Sequence, residues 1–132
     1  MKGRILLCDD EVTILRAAAF KLARAGFIVE EAYDGEEAWS KIVVNPPDVL
    51  ITDYQMPRLT GLELIARLRS QPQFSEIAIV LLTAKGFELP CKELCAKWAI
   101  HRIVDKPFSP RELLQIVEAI FAERPKPAIA AV

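Results

Sequence analysis

Three carboxylates stand directly after short apolar runs: Asp9 and Asp10 follow Ile5-Leu6-Leu7-Cys8, and Asp53 follows Val49-Leu50-Ile51-Thr52. If these runs are neighbouring parallel strands, all three acids emerge at one carboxyl edge, in the crevice where open α/β sheets bind ligands. Two ionised carboxylates about 4 Å apart repel by roughly 4 kcal/mol at an effective dielectric near 20, so such a cluster calls for a cation, a proton or both. Oxygen-only ligands match a hard divalent metal beside a phosphate. Taken singly, the acids have plainer uses. Asp53 fits a turn aspartate that caps backbone amides, and Asp9 or Asp10 fits an N-cap for a following helix whose dipole Asp10 and Glu11 would also favour.

The elements that must position these acids are legible from apolar spacing. Apolar runs recur at residues 5–8, 28–32, 49–52, 77–83 and 103–104, each bounded by polar or turn residues. Helical stripes lie between and after them: Leu15, Ala18, Ala19 and Leu22; Trp39, Ile42 and Val43; Cys91, Leu94, Cys95 and Trp98; Leu113, Ile116, Val117 and Ile120. Thr60-Gly61-Leu62-Glu63 matches a capping box and predicts a third helix after Asp53. Asn45-Pro46-Pro47 must end the second helix, and Pro90 opens the fourth, leaving residues 85–88 as a loop. A fivefold β-α alternation implies one parallel sheet covered on both faces. Two more strand ends then carry polar chemistry, Thr83 after the fourth run and Lys106 after the fifth.

Composition narrows the function classes. With 132 residues the chain fits one domain, and 18 acids against 17 Lys plus Arg leave a charge of −1, without the global basic field expected of a nucleic-acid or anionic-membrane binder. Three cysteines and no secretory leader or membrane-length apolar run point to reduced thiols in a cytoplasmic protein. Cys8 reads as a small buried apolar residue. Cys91 and Cys95 share the stripe of Leu94 and Trp98, which favours core burial over a soft-metal site with His101, itself read as a surface or satisfied loop residue and not a ligand or phosphate carrier. Residues 1–123 are expected to form the domain, and the Arg124-Pro125-Lys126-Pro127 stretch starts a flexible tail over 124–132.

Four motifs in this order, Cys8-Asp9-Asp10-Glu11, Asp53-Tyr54-Gln55-Met56-Pro57 with Thr60-Gly61, Leu82-Thr83-Ala84, and Asp105-Lys106-Pro107-Phe108, strongly resemble the receiver domain of two-component response regulators over roughly residues 3–122. The resemblance implies a flavodoxin-like, doubly wound (βα)5 domain with a five-stranded parallel sheet of order 2-1-3-4-5. It implies that Asp53 is the phosphoacceptor, taking a phosphoryl group from a sensor histidine kinase or histidine phosphotransfer protein. Mg2+ would be held by Asp9, Asp10, Asp53 and the backbone carbonyl of Gln55. Lys106, preceding a cis peptide to Pro107, would sit near the phosphoryl oxygens, and the Thr83 hydroxyl would bind one of them and draw its loop inward. Such a protein is not an enzyme beyond self-catalysed phosphorylation and dephosphorylation; it signals by changing protein partners, with no direct nucleic-acid or membrane contact. The fourth helix, fifth strand and fifth helix would form the output face, with Lys92, Lys97, Arg102 and Arg111 exposed on it.

The chain departs from the family pattern at three places. Ile103 stands where receivers commonly carry a Tyr or Phe that moves with the threonine, so the coupling of Thr83 to an aromatic rotamer is in question. Gln55 and Lys85 occupy the positions, two after the acceptor and two after the threonine, that tune phosphoryl lifetime in the family. Trp98-Ala99-Ile100-His101 replaces a stretch that usually carries Gly-Ala, and Trp98 is expected in the core. Two alternatives remain at this point: a receiver-like interaction domain that does not switch or was excised from a longer regulator, and a small metal-dependent phosphatase, for which Gln55 does not supply the second general acid.

Overall fold

The computed structural model describes residues 2–123, so the expected tail over 124–132 lies outside the described residues. Five strands alternate with five helices: β1 (Arg4–Cys8), α1 (Val12–Arg24), β2 (Ile28–Ala32), α2 (Gly35–Val44), β3 (Val49–Asp53), α3 (Gly61–Arg69), β4 (Ala78–Thr83), α4 (Cys91–Trp98), β5 (Arg102–Asp105) and α5 (Pro110–Glu123), with 3-10 turns at Pro72–Phe74 and Gly86–Glu88. All strand pairs are parallel and the order is β2-β1-β3-β4-β5, the doubly wound arrangement expected.

Strand periodicity divides the core in two. Leu6, Cys8, Leu50, Ile79 and Leu81 face one side and pack with Ala38 and Ile42 of α2 and Leu64, Ile65 and Leu68 of α3. Ile5, Leu7, Val49, Ile51, Val80 and Leu82 face the other, against Leu15, Ala18 and Leu22 of α1 and Leu113, Val117 and Ile120 of α5. Every residue of β3 is buried, as a central strand covered on both faces requires. The capping box at α3 forms as expected: Glu63 N–H donates to the Thr60 hydroxyl at 3.2 Å and Thr60 N–H to the Glu63 carboxylate at 2.9 Å.

Two expectations are corrected. Val43 is 54 % exposed, because α2 buries the face that carries Gly35, Ala38 and Ile42, and Val43 lies about 100° round the helix from Ile42. The α4 stripe is half-buried, with no fully buried residue on the helix. Leu94, Cys95 and Trp98 only flank the core, whereas the Cys91 thiol donates to the Gly86 carbonyl at 3.4 Å. Cys8 is fully buried and His101 exposed, as expected, and burial pushes the Cys8 thiol up to about 12. Among the described residues no helix is long and apolar enough to cross a membrane.

Candidate functional site

β1, β3, β4 and β5 end at one edge, and backbone hydrogen bonds continue past each end to fix the polar residue there. Asp9 N–H donates to Ala32 O at 3.1 Å, Tyr54 N–H to Leu82 O at 2.8 Å, and Lys106 N–H to Thr83 O at 2.8 Å. The chain after Asp53 folds back so tightly that Gly61 N–H reaches Tyr54 O at 2.9 Å. A Cβ on Gly61 would lie 2.1 Å from the Asp53 carbonyl oxygen, so only glycine fits beside the acid. The Lys106–Pro107 peptide is cis, as the resemblance implied.

Asp9, Asp10 and Asp53 converge as expected, each offering an oxygen within 4.8 Å of the others. Asp9 is 2 % exposed and Asp53 is also buried, while Asp10 lies open. The Lys106 ammonium sits among them, 2.9 Å from Asp9 Oδ2, 3.3 Å from Asp53 Oδ1 and 2.7 Å from Glu11 Oε1. Asp9 Oδ2 is fully buried, and its charge partner is that ammonium. Burial, then the neighbouring Asp9 charge, pushes the Asp53 carboxyl up to about 6 despite the opposing pull of Lys106. Burial alone would depress Lys106; hydrogen bonds to Glu11 and Asp9 and the surrounding carboxylate charge outweigh it and raise the ammonium above its ordinary range.

An open cavity of about 290 Å³ lies above these groups, lined by Asp10, Glu11, Asp53, Tyr54, Gln55, Thr83, Ala84, Lys85 and Lys106. Thr83 is buried and its hydroxyl accepts from Lys85 N–H at 2.9 Å, which leaves the hydroxyl proton free to donate elsewhere. Gln55 and Lys85 are exposed at the rim. Ile103 is half-buried and packs against the core face that contains Leu81. The plain uses are realised in part: Asp9 Oδ1 accepts from Glu11 N–H at 2.9 Å and the Asp53 carboxyl takes a backbone hydrogen bond from Tyr54, but neither acid is a helix N-cap, since the α1 N-cap position is Glu11, without a side-chain cap, and α3 is capped by Thr60.

A family profile of the response regulator receiver domain matches residues 5–118. The chain belongs to that family. Among curated relatives this receiver domain is 38 % identical over 120 residues to the alkaline phosphatase synthesis transcriptional regulatory protein PhoP of Bacillus subtilis, covering 91 % of this chain and 49 % of PhoP. It is 35 % identical over 119 residues to chemotaxis protein CheY1 of Helicobacter pylori, covering 89 % of this chain and 95 % of that one. The chain thus spans about half of PhoP and nearly all of CheY1. The solved chemotaxis response regulator CheY4 of Vibrio cholerae superposes with a TM-score of 0.81 at 32 % identity, covering 89 % of this chain and 98 % of that chain.

Sequence reasoning placed Asp9, Asp10, Asp53, Thr83 and Lys106 of this receiver at one edge, and the structure brings all five there. It missed Glu11 as a partner of Lys106. The two lie 95 positions apart, and the one available signal, an acid directly after the Asp9-Asp10 pair, fits a helix-dipole role equally well.

Proposed function

We propose that this receiver domain is a phosphorylation switch in which Asp53 takes a phosphoryl group from a phosphohistidine on a sensor kinase or phosphotransfer protein. The observation that carries the reading is a buried carboxylate facing an open cavity, with an ammonium 3.3 Å away and a hydroxyl with a free proton on the adjoining strand end. In the reaction an Asp53 carboxylate oxygen attacks phosphorus, the phosphorus–nitrogen bond to the donor histidine breaks, and its electron pair stays on the imidazole nitrogen, which takes a proton from solvent. Lys106 offsets charge on the phosphoryl oxygens, and Thr83, released from its resting contact, donates its hydroxyl to one of them.

The donor set fits Mg2+: three carboxylates, each offering an oxygen within reach of one cation, with a single ammonium beside them to offset their charge. Asp9, Asp10 and Asp53 would hold it with the Gln55 carbonyl, and when bound it would neutralise the charge gathered by the acids and the phosphoryl group. Gln55 and Lys85, at the rim, would control water access to the acyl phosphate and so its lifetime. The new charge of about −1.5 to −2 would pull Thr83 and the loop after it inward, altering the face of α4, β5 and α5, where Lys92, Lys97, Arg102 and Arg111 are all exposed. A protein partner that reads this face would receive the signal. Residues 1–123 are the unit that would act, in the cytoplasm.

Incubation with acetyl phosphate, followed by intact mass, tests the reading. A phosphate-sized gain that requires both Mg2+ and Asp53, and is lost in Asp53→Ala, is the expected result. Absence of any gain in folded wild-type protein that binds Mg2+ would reject it in favour of a non-switching interaction domain, with Ile103 the first position to replace by Tyr.

A further inference from the structure

Glu11 stands at the N-cap position of α1, yet its side chain caps nothing there. Instead it extends to Lys106, giving the shortest of the three ammonium contacts at 2.7 Å, and its side chain is 55 % exposed where that of Asp9 is 2 % exposed. The ammonium therefore lies between two kinds of acceptor. On the buried side are Asp9 and Asp53, whose oxygens a divalent cation would claim; on the solvent side is Glu11, which belongs to no other contact described for its side chain.

We infer that Glu11 is a berth for Lys106: a positioning residue that retains the ammonium at the rim when a divalent cation takes the Asp9 and Asp53 oxygens, and so makes the exchange of ammonium for cation easier. The inference rests on the metal-site reading above. Two cations cannot share the buried oxygens without strong repulsion, and an ammonium driven off with no acceptor nearby would have to be fully resolvated. Glu11 removes that requirement, since one of the three ammonium contacts survives the exchange and keeps Lys106 within reach of an incoming phosphoryl group.

Calorimetric titration of Mg2+ into wild type, Glu11→Gln, Lys106→Gln and the double variant separates this from a simple charge effect. Glu11→Gln should weaken Mg2+ binding about fivefold in the wild-type background and hardly at all once Lys106 is gone, a non-additivity expected of contacting groups. Equal losses in both backgrounds would make Glu11 a bulk charge or a direct ligand and overturn the inference, as would unchanged binding in Glu11→Gln. Wild-type protein that binds no Mg2+ would overturn both this inference and the metal site, whereas wild-type binding with an indifferent Glu11→Gln would overturn this inference alone. If Lys106→Gln does not fold, Lys106→Ala takes its place in the same cycle, and the same outcomes decide.

Discussion

Asp53 carries a charge that the metal-free fold disfavours. Its carboxyl titrates near 6 instead of 3.8, with burial as the main cause and Asp9 as the second. A raised acid pKa means that the fold prefers the protonated form, so the associated stability is complete below about 3.8 and is lost as pH rises through about 6. Asp53→Asn should therefore raise metal-free stability at pH 7 by roughly 2 kcal/mol, read as a higher urea midpoint. A midpoint at or below wild type would show that the carboxylate is held by its Lys106 contact more than it is penalised by burial. The same titration governs reactivity. On the proposed reading the attacking species is the carboxylate, so at limiting Mg2+ the initial rate of phosphorylation by acetyl phosphate should fall as pH drops below about 6, and a flat profile from pH 5 to 8 would refute that.

At the scale of elements, the least anticipated contact is made by Arg69 at the end of α3. Its guanidinium donates to Trp98 O at 2.8 Å and Ala99 O at 2.9 Å, two carbonyls at the end of α4, and to Ser75 O at 3.1 Å beyond the 3-10 turn that follows α3. A planar fork with several fixed donors spans carbonyls on two segments at once; a lysine ammonium, a compact point charge, does not match that spread. Arg69→Lys should cost about 2 kcal/mol and speed hydrogen exchange around residues 98–101, with little change near Asp53. Uniform loss of protection across the sheet would instead mean a general destabilisation. Contacts of this kind explain what the sequence left hidden. Strand runs, the α3 capping box and the proline stop of α2 were legible, because each depends on neighbours or on spacing along the chain. The Arg69 clamp, the Glu11–Lys106 pair and the exposure of Val43 depend on which element lies across the gap, and spacing along the chain carries no record of that. Half-burial of α4 has the same origin: its stripe is correct in phase, but α4 lies at the margin of a core filled by α2 and α3.

For the whole molecule, the sheet order was legible only through family resemblance, since periodicity gives five strands and their faces but not their neighbours. That order brings the acids of β1 and β3 to adjacent strand ends and lets the lysine after β5 reach back to them. If the cluster, which exists only in the native chain, holds Mg2+ as proposed, Mg2+ should stabilise the fold by mass action, by about 1.4 kcal/mol at ten times the dissociation constant. A urea midpoint indifferent to millimolar Mg2+ would contradict this. The polar residues of the site come from segments that span most of the chain, and the contact from Glu11 to Lys106 closes a separation of 95 positions. A polypeptide still emerging from the ribosome thus has Asp53 long before it has the lysine beside it. On the proposed reading a signal could not be written on an unfinished copy: competence to receive a phosphoryl group would arrive with completion of the sheet, and phosphorylation would double as a certificate that the molecule has folded.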